Sequence, residues 1–367
     1  MLSPPLSFSD LPGWAQDDHR AALAAFLRHC GDDVALPEAG RPAGRLGISP
    51  AALRHACHAG AGAMADGSDA AARRFFETMF EPRRVLADGF VTGYFEPEYP
   101  GSRHRDAVHA TPLLRRPENL VALDDANRPA HLPSDAPFAL RDPDGALVLP
   151  PDRGEIMDGA LSGHGLELVW LTDPVDAFYV HVQGSARIRL KEGGVLRVGY
   201  AGKTGHPYSP IGRVMIERGL AEPGTVTMDV LRGWLAENPA EIDGVLRRNR
   251  SYIFFREVTE AGPDDGPVGA AGLPLVAGRS LAVDAAFHAY GTPVFVSADL
   301  PAGDGRPARP FRRLMVADDT GSAIIGAARG DIFFGSGRQA GARAGSVQHR
   351  ADMVVLVPRG AGREAPR

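Results

Sequence analysis

The sequence predicts a mainly β protein headed by helices and closing in a small barrel. Three observations predict it. The first 80 residues carry helical periodicity with capping residues, and from Leu166 onward apolar and polar residues alternate with period two. The last third is a string of short apolar segments joined by Gly-rich turns. Composition agrees: Gly (44) and Pro (31) are abundant, with 44% of residues hydrophobic and 23% charged, a balance that favours turns and short strands over long helices. A chain of 367 residues can hold two or three cored domains.

Residues 14–30 (WAQDDHRAALAAFLRHC) read as a helix, with Asp17 and Asp18 in its first turn, where they complement the helix dipole. SPAALRHAC follows with Ser49 as N-cap and Pro50 at the first helical position. SDAAARRFFETMF opens a third helix at Ser68. FVTGYFEPEYPG (90–101) is strand-like and broken by Pro97 and Pro100, and residues 110–160, rich in Pro and Asp, read as loops with short strands. From Leu166, LELVWLTD, AFYVHVQGSARIRL, a KEGG turn and VLRVGYAG predict an antiparallel meander, which puts His181 on a strand. YSPIGRVMIERG is a short helix capped by Ser209, with Pro210 at its first position and Gly219 beyond its end. A further helix covers about 228–248. SYIFFRE (251–257), RSLAVDAAF (279–287), GTPVFVSADL (291–300), RRLMVADD (312–319), GDIFFG (330–335) and ADMVVLVPR (351–359) are strands spaced for a small closed barrel. The tail after Arg359 reads as disordered.

Net charge is -5 and no Lys/Arg block offers a nucleic-acid footprint. Nearly all the positive charge is Arg, Lys191 and Lys203 being the only lysines. No apolar run approaches the roughly 18–20 residues of a membrane span. The opening MLSPPLSFSDLPGW has neither a basic n-region nor an apolar h-region, so no export signal is visible; the protein is expected to be cytoplasmic or to have had a leader trimmed away. Cys30 and Cys57 are the only cysteines. A bridge between them would close a loop of about 28 residues, add roughly 3.5 kcal/mol on the chain-entropy model and require an oxidising compartment. Two buried helix thiols are the equal alternative. No CxxC is present, which argues against a thiol metal or redox site.

Several motifs are weaker than they look. GYAGKTGHPY contains G-K-T, but a phosphate loop needs a glycine where Arg197 stands. GPVGAAG (266–272) is a turn rather than a strand-to-helix dinucleotide motif. The histidines show neither HExxH nor paired spacing, so no metal and no cofactor is assigned. DTGSA resembles the signature of an aspartic protease, which needs two such acids sharing a proton; one DTG would demand a homodimer, and Asp318 interrupts the apolar strand before it.

The acids themselves carry more. Asp319 and Asp331 bracket a loop of small and apolar residues, and Asp331 is followed by Ile332, Phe333 and Phe334. A carboxyl in that setting is partly desolvated and holds its proton nearer neutrality, the more so with other carboxylates close by. Asp284, ending SLAVD just before GTPVFV, is a third candidate.

Together, LAVD, GTPVFV, DTGSAI and R-x-D-I-F-F-G closely resemble the three-aspartate domain of the MltA-type lytic murein transglycosylases. TGYFEPE (92–98), VQGSARIRL (182–190), YAGKTGHPYSPIGRVMIERG (200–219), NRSYIFFRE (249–257) and GAAGLPLVAGRSLAVD (269–284) extend the resemblance in order over about residues 88–358. Thr204 and Arg250 depart from the usual residues at their positions. The resemblance implies a double-psi β-barrel with a second β domain inserted in its sequence and a sugar-binding groove between them. The expected division is a helical region over 1–85, the MltA-specific β domain over 86–250 (insert about 100–245) and the barrel over 251–358. The implied activity is a lyase that cleaves the β-1,4 bond between N-acetylmuramic acid and N-acetylglucosamine in peptidoglycan and leaves a 1,6-anhydro end. The resemblance puts the catalytic acid on Asp331, the supporting acids on Asp319 and Asp284, and groove-lining roles on Thr92, Gly93, Tyr94, Gln183, Gly184, Ser185 and Tyr208. It implies glycan strands as the partner, a cell-wall synthesis or division complex as a setting, a monomer, and a periplasmic or outer-membrane-associated location, although no lipid-bearing Cys is seen. An inverting glycoside hydrolase and a non-catalytic glycan-binding barrel of the expansin sort are the alternatives.

Overall fold

The computed structural model describes residues 1–31, 44–48, 50–259, 265–301, 308–321 and 323–359. The Ser49 cap and the tail after Arg359 lie outside them. Helices α1 (His19–Leu27), α2 (Pro50–Asp66) and α3 (Asp69–Met79) come first, then β1 (Phe80–Arg84) and β2 (Phe90–Glu96). Next come β3 (Glu98–Ser102), β4 (Thr111–Leu114), β5 (Leu120–Ala122), β6 (Phe138–Arg141), β7 (Leu147–Val148) and α4 (Arg153–Met157). They lead to β8 (Glu167–Leu171), α5 (Pro174–Gln183), β9 (Ser185–Leu190) and β10 (Val195–Lys203). After α6 (Arg213–Glu217), α7 (Met228–Glu237), α8 (Ile242–Leu246) and β11 (Ile253–Glu257), the chain forms β12 (Ser280–Val283) and β13 (Pro293–Leu300). It finishes with β14 (Arg309–Asp319), β15 (Arg329–Ser336), α9 (Arg338–Ala344) and β16 (Gln348–Pro358). Two compact units result, Met1–Phe95 with Ala261–Arg367, and Glu96–Glu260.

In the first unit six strands close a barrel in the order β16-β13-β14-β12-β15-β2, and β2 returns to β16 through Thr92↔Gln348. Closure leaves no open sheet edge within the ring. β1 extends the sheet from β16. β12 runs parallel to β14, and a register shift between Leu281 and Ala282 brings Ala282 opposite Asp319. On its other side Ala282 faces Asp331 of β15. One short buried strand thus sets two acids on its two neighbours.

The N-terminal helices share this barrel's core: Phe26, Phe76 and Phe80 are buried in one cluster with Val294, Phe295 and Leu356. The sequence dictates the packing. Ser68 accepts from Ala71 N and caps α3, whose Phe75 and Phe76 then turn inward. Asp17 makes a two-pronged buried ion pair with Arg279 (2.9 Å each) and accepts from Leu314 N at 2.7 Å. Cys30 and Cys57 are disulfide-bonded, with Cα atoms 5.5 Å apart.

The second unit is built on a six-stranded sheet, β11-β10-β9-β3-β8-β4, with a three-stranded sheet β5-β6-β7 beside it in sequence. Leu168, Leu171, Ile188, Leu196 and Val198 pack against Ala177 and Val180 of α5. The other face of α5 packs on α6, α7 and α8 through Phe178, Met215, Leu235 and Leu246. Arg197, on β10, pairs with the fully buried Glu96 at 2.9 Å.

Five expectations are corrected. The helix read over 14–30 is confined to His19–Leu27, with Asp18 as its N-cap and a 3-10 turn on either side at Trp14–Gln16 and Arg28–Cys30. Residues 174–183 are helix, not strand: Asp173 caps the start, Pro174 holds the first position, and Gly184 at φ 75° ends it. His181 therefore sits on α5, buried, where it accepts from Arg153 Nη2 at 3.1 Å. Burial, then the Arg153 charge, pushes its pKa well down, so it is a neutral acceptor. The helix expected from Ser209 starts later, at Arg213, and the 228–248 helix is broken at Asn238–Pro239 into α7 and α8. β11, expected in the barrel segment, pairs with β10 instead.

Candidate active site

The acids and the β2 residues come together in the first unit. Asp331 lies near the start of β15 and is half-buried. Thr92, across on β2, donates from Oγ1 to Asp331 Oδ1 at 2.6 Å. Arg329, two residues before Asp331 and so on the same strand face, donates from Nη2 to Thr92 Oγ1 at 2.8 Å. That order fixes the protons. With its oxygen occupied by the guanidinium, the Thr92 hydroxyl points its hydrogen at Oδ1. Oδ1 is an acceptor, so the carboxylic proton belongs on Oδ2, which carries no hydrogen bond among the described residues.

Burial is the largest influence on Asp331 and raises its pKa to about 6, with the Asp319 charge adding to the rise and Thr92 and Arg329 opposing it. The group is poised to be acid below that value and base above it. Replacing Thr92 by valine removes one opposing influence and should move the alkaline limb of the pH–rate profile upward by about half a unit to one unit. A limb that stays put would remove Thr92 from the proton-handling chain.

Asp319, at the end of β14, is half-buried too. Its Oδ1 accepts from Ala270 N at 2.9 Å and its Oδ2 from Tyr94 OH at 2.9 Å. Burial raises its pKa, opposed by those bonds and the Thr320 backbone; Asp318 adds to the rise. Tyr94 packs on Phe333 with ring centroids 5.3 Å apart. Burial, then Asp319 and Asp331, lifts its pKa well above the usual phenol value, so it stays a donor.

Gly93, between them, is needed for its lack of a side chain. A Cβ there would come within 2.7 Å of the Phe334 ring and 2.8 Å of the Ala344 backbone. Gly93→Ala should therefore cost about 1–3 kcal/mol and lower activity by displacing Thr92 and Tyr94; a denaturation midpoint equal to wild type would contradict this.

Asp284 is used differently from the other two acids. It follows β12, and its oxygens accept from Ala286 N at 2.9 Å and Gly326 N at 2.8 Å. It pins its own turn to the loop between Asp319 and Asp331. The charges that act on Asp331 are Arg329 and Asp319.

The remaining sequence candidates lie in the second unit. Gln183 ends α5, Gly184 caps it, and Ser185 opens β9, so the three form one helix-to-strand corner. Tyr208 is 39% exposed, with its pKa raised by burial and opposed by Arg153. Sequence reasoning missed Arg329, the Ala270 amide and the buried Asp318. Arg329 was findable, since i and i+2 share a strand face; the Ala270 contact, across 49 residues, had no local signal. Among the described residues no group of three or more His, Cys, Asp or Glu is arranged to hold a metal.

Two family models and several known proteins match the chain. Residues 90–256 match the MltA specific insert domain and residues 279–357 match the 3D domain. Membrane-bound lytic murein transglycosylase A of Vibrio cholerae is 36% identical over 203 residues, covering 54% of this chain and 54% of that protein. The chain thus spans about half the length of the curated relatives it matches. A solved membrane-bound lytic murein transglycosylase from Agrobacterium tumefaciens superimposes with a TM-score of 0.85 at 45% identity, covering 97% of both chains. Escherichia coli MltA, solved with bound chitohexaose, superimposes with a TM-score of 0.67 at 27% identity, over 93% of this chain and 90% of that one. At that identity and coverage, the chain belongs to the MltA family of lytic murein transglycosylases.

Proposed function

We propose that the protein cleaves the β-1,4 bond between N-acetylmuramic acid and N-acetylglucosamine in peptidoglycan, with Asp331 as acid and then base. One observation carries this: a half-buried carboxyl, raised to about 6, whose protonated oxygen is the one left free by the Arg329–Thr92 chain. Asp331 Oδ2–H gives its proton to the glycosidic oxygen as the bond to muramic C1 breaks. The resulting carboxylate takes the proton of the C6 hydroxyl, whose oxygen bonds to C1. Asp331 ends as it began, and no water is consumed.

An attacking hydroxyl already attached to the sugar has an effective molarity on the order of 10⁵ M or more when properly held. Proton transfer contributes about 10²–10⁴-fold, and fixed polar groups around the strained ring supply the rest. Thr92, Tyr94 and Asp319 are the groups proposed to do this in the first unit, with Gly93 allowing the approach. Gln183, Gly184, Ser185 and Tyr208 are proposed to contact the glycan in the second, and Asp284 to hold the Gly326 loop. An inverting hydrolase would need a second carboxylate to activate water. Each oxygen of Asp319 and Asp284 already accepts one protein hydrogen bond, and the product formed separates the two readings.

Relatives named membrane-bound and a disulfide that persists only in oxidising surroundings support an envelope location outside the cytoplasm. Among the described residues no helix is long and apolar enough to cross a membrane. Purified sacculi digested with the protein and analysed by mass should yield 1,6-anhydro-muropeptides. Free reducing ends alone would make it a hydrolase, and pull-down of sacculi without cleavage would make it a binding barrel.

A further inference from the structure

Helix α4 opens on Arg153, which is 4% exposed and carries its charge into the interior of the second unit. Its Nε donates to Asn249 O at 2.9 Å, and its Nη2 to Ser251 O at 2.7 Å and His181 Nδ1 at 3.1 Å. The rings of Phe178 and Tyr252 stand against it, with Cζ 4.8 and 5.2 Å from their centroids. Every one of these partners is uncharged. A guanidinium has only donors, so His181 Nδ1 accepts and the imidazole hydrogen is on Nε2. Burial, then the Arg153 charge, holds that imidazole neutral. Nη1 is the nitrogen left over. It makes no hydrogen bond among the described residues, and unlike both ring nitrogens of the buried His19 it is not sealed from solvent.

No acid cancels this charge. Asp152, beside Arg153 in sequence, is bound to Arg250 at 2.8 Å, and Asp158, at the end of α4, is bound to Arg247 at 2.8 Å. The groups whose charge acts on Arg153 are Tyr252 and Tyr208, and burial pushes both phenols up, so they stay neutral. Burial lowers the Arg153 pKa to about 10, which leaves it a cation at any physiological pH. A buried charge is normally paired, because an uncompensated one is costly out of water. Here the pairing is left open at one nitrogen. Two groups already proposed to contact the glycan lie close by. Tyr208, on which the Arg153 charge acts, is 39% exposed, and His181 lies two to four residues before the Gln183–Ser185 corner.

We propose that Arg153 is a carboxylate-binding residue: its Nη1 takes an acid of the muramyl side chain, either the lactyl group of a bare strand or the peptide stem of a substituted one. The inference rests on the reading of the protein as acting on peptidoglycan and adds a specificity to it. N-Acetylglucosamine carries no acid, so an unpaired cation beside the glycan-contacting corner tells muramyl from glucosaminyl units and fixes which of the alternating sugars lies there. The neutral acceptors around Arg153 have a purpose in this account. They hold the guanidinium still without cancelling its charge, which an Asp or Glu would do.

The test titrates the full ¹⁵N-labelled chain with four small ligands that hold no glycosidic bond for it to cut. N-Acetylmuramic acid has its lactyl carboxylate free, and muramyl dipeptide has that group amidated and an acid on its peptide. N-Acetylglucosamine and the methyl amide of N-acetylmuramic acid are the neutral controls. The acids should bind about 10–100-fold more tightly than the controls, the effect of one charge-assisted hydrogen bond, and should move the Arg153 Nε–H and His181 Nε2–H resonances. A preference confined to N-acetylmuramic acid assigns the lactyl group, and one confined to muramyl dipeptide assigns the stem. Arg153→Met should level the affinities and raise KM on sacculi with kcat nearly kept, and Arg153→Lys should restore part of the preference. Equal affinities for acids and neutral sugars in the wild-type protein would overturn the proposal, and that measurement needs no variant to fold. Chitohexaose separates the two kinds of failure. If it binds while the acids gain nothing over the controls, only the carboxylate site falls; if neither it nor sacculi bind, the peptidoglycan reading falls as well.

Discussion

Asp331→Asn is expected to lower the release of anhydro-muropeptides by about 10²–10⁴-fold while making the protein more stable above pH 6. Both effects have one cause. The carboxyl sits where burial resists its ionisation and raises its pKa to about 6, so the folded state binds this proton more tightly than the unfolded state does. A group raised in this way contributes stability that is fully present below its unfolded value near 4 and is lost as pH rises through about 6. At pH 8 the native enzyme holds a poorly solvated carboxylate; asparagine does not. Allowing for partial exposure, the gain is about 1–2 kcal/mol. It should vanish by about pH 4, where the native carboxyl is protonated in either state. Thermal melts across that range check the sign. A variant with native cleavage rates would end the assignment of Asp331, and one that melts lower than wild type at pH 8 would contradict the burial argument.

Removing the Cys30–Cys57 bond is the second large effect. The bridge joins positions 27 apart in sequence, and releasing a loop of that length should cost about 3.5 kcal/mol on the chain-entropy model. The consequence should reach the barrel, because Phe26 and Leu53, on the helices it joins, belong to the barrel's own core. Urea denaturation with and without reductant, and of the Cys30→Ser/Cys57→Ser double variant, measures this. Coincident midpoints would mean that the helices hold together without the bond.

Much of the barrel was legible because its strands are short, apolar and punctuated by glycine, signals that act within ten residues. The segment 174–183 misled because Val175, Phe178, Tyr179 and Val180 favour strands, and the aromatic and β-branched content outweighed the Asp173–Pro174 start signal. β11 illustrates a different limit: its strand character was readable, but its partner β10 is a choice made by the whole fold. The acids divide likewise. Asp331 and Asp319 announced themselves by apolar and glycine-rich surroundings. Asp284, grouped with them first by its place at a strand end and then by resemblance, accepts from two backbone amides, a task that any turn-forming Asp can perform and that sequence does not distinguish. Asp318 read as an interruption in a strand. Only the alternation of faces reveals it as a residue of the opposite side.

The site's two hydrogen-bonded partners, Thr92 and Asp331, are 239 residues apart. A ribosome adding roughly 5–20 residues per second makes the first on the order of 10–50 s before the second, and β16 later still. Throughout that interval the intervening unit, contiguous in sequence, can fold while the barrel cannot close. A nascent or prematurely terminated chain consequently lacks the Thr92–Asp331 hydrogen bond and a closed barrel until synthesis is all but complete.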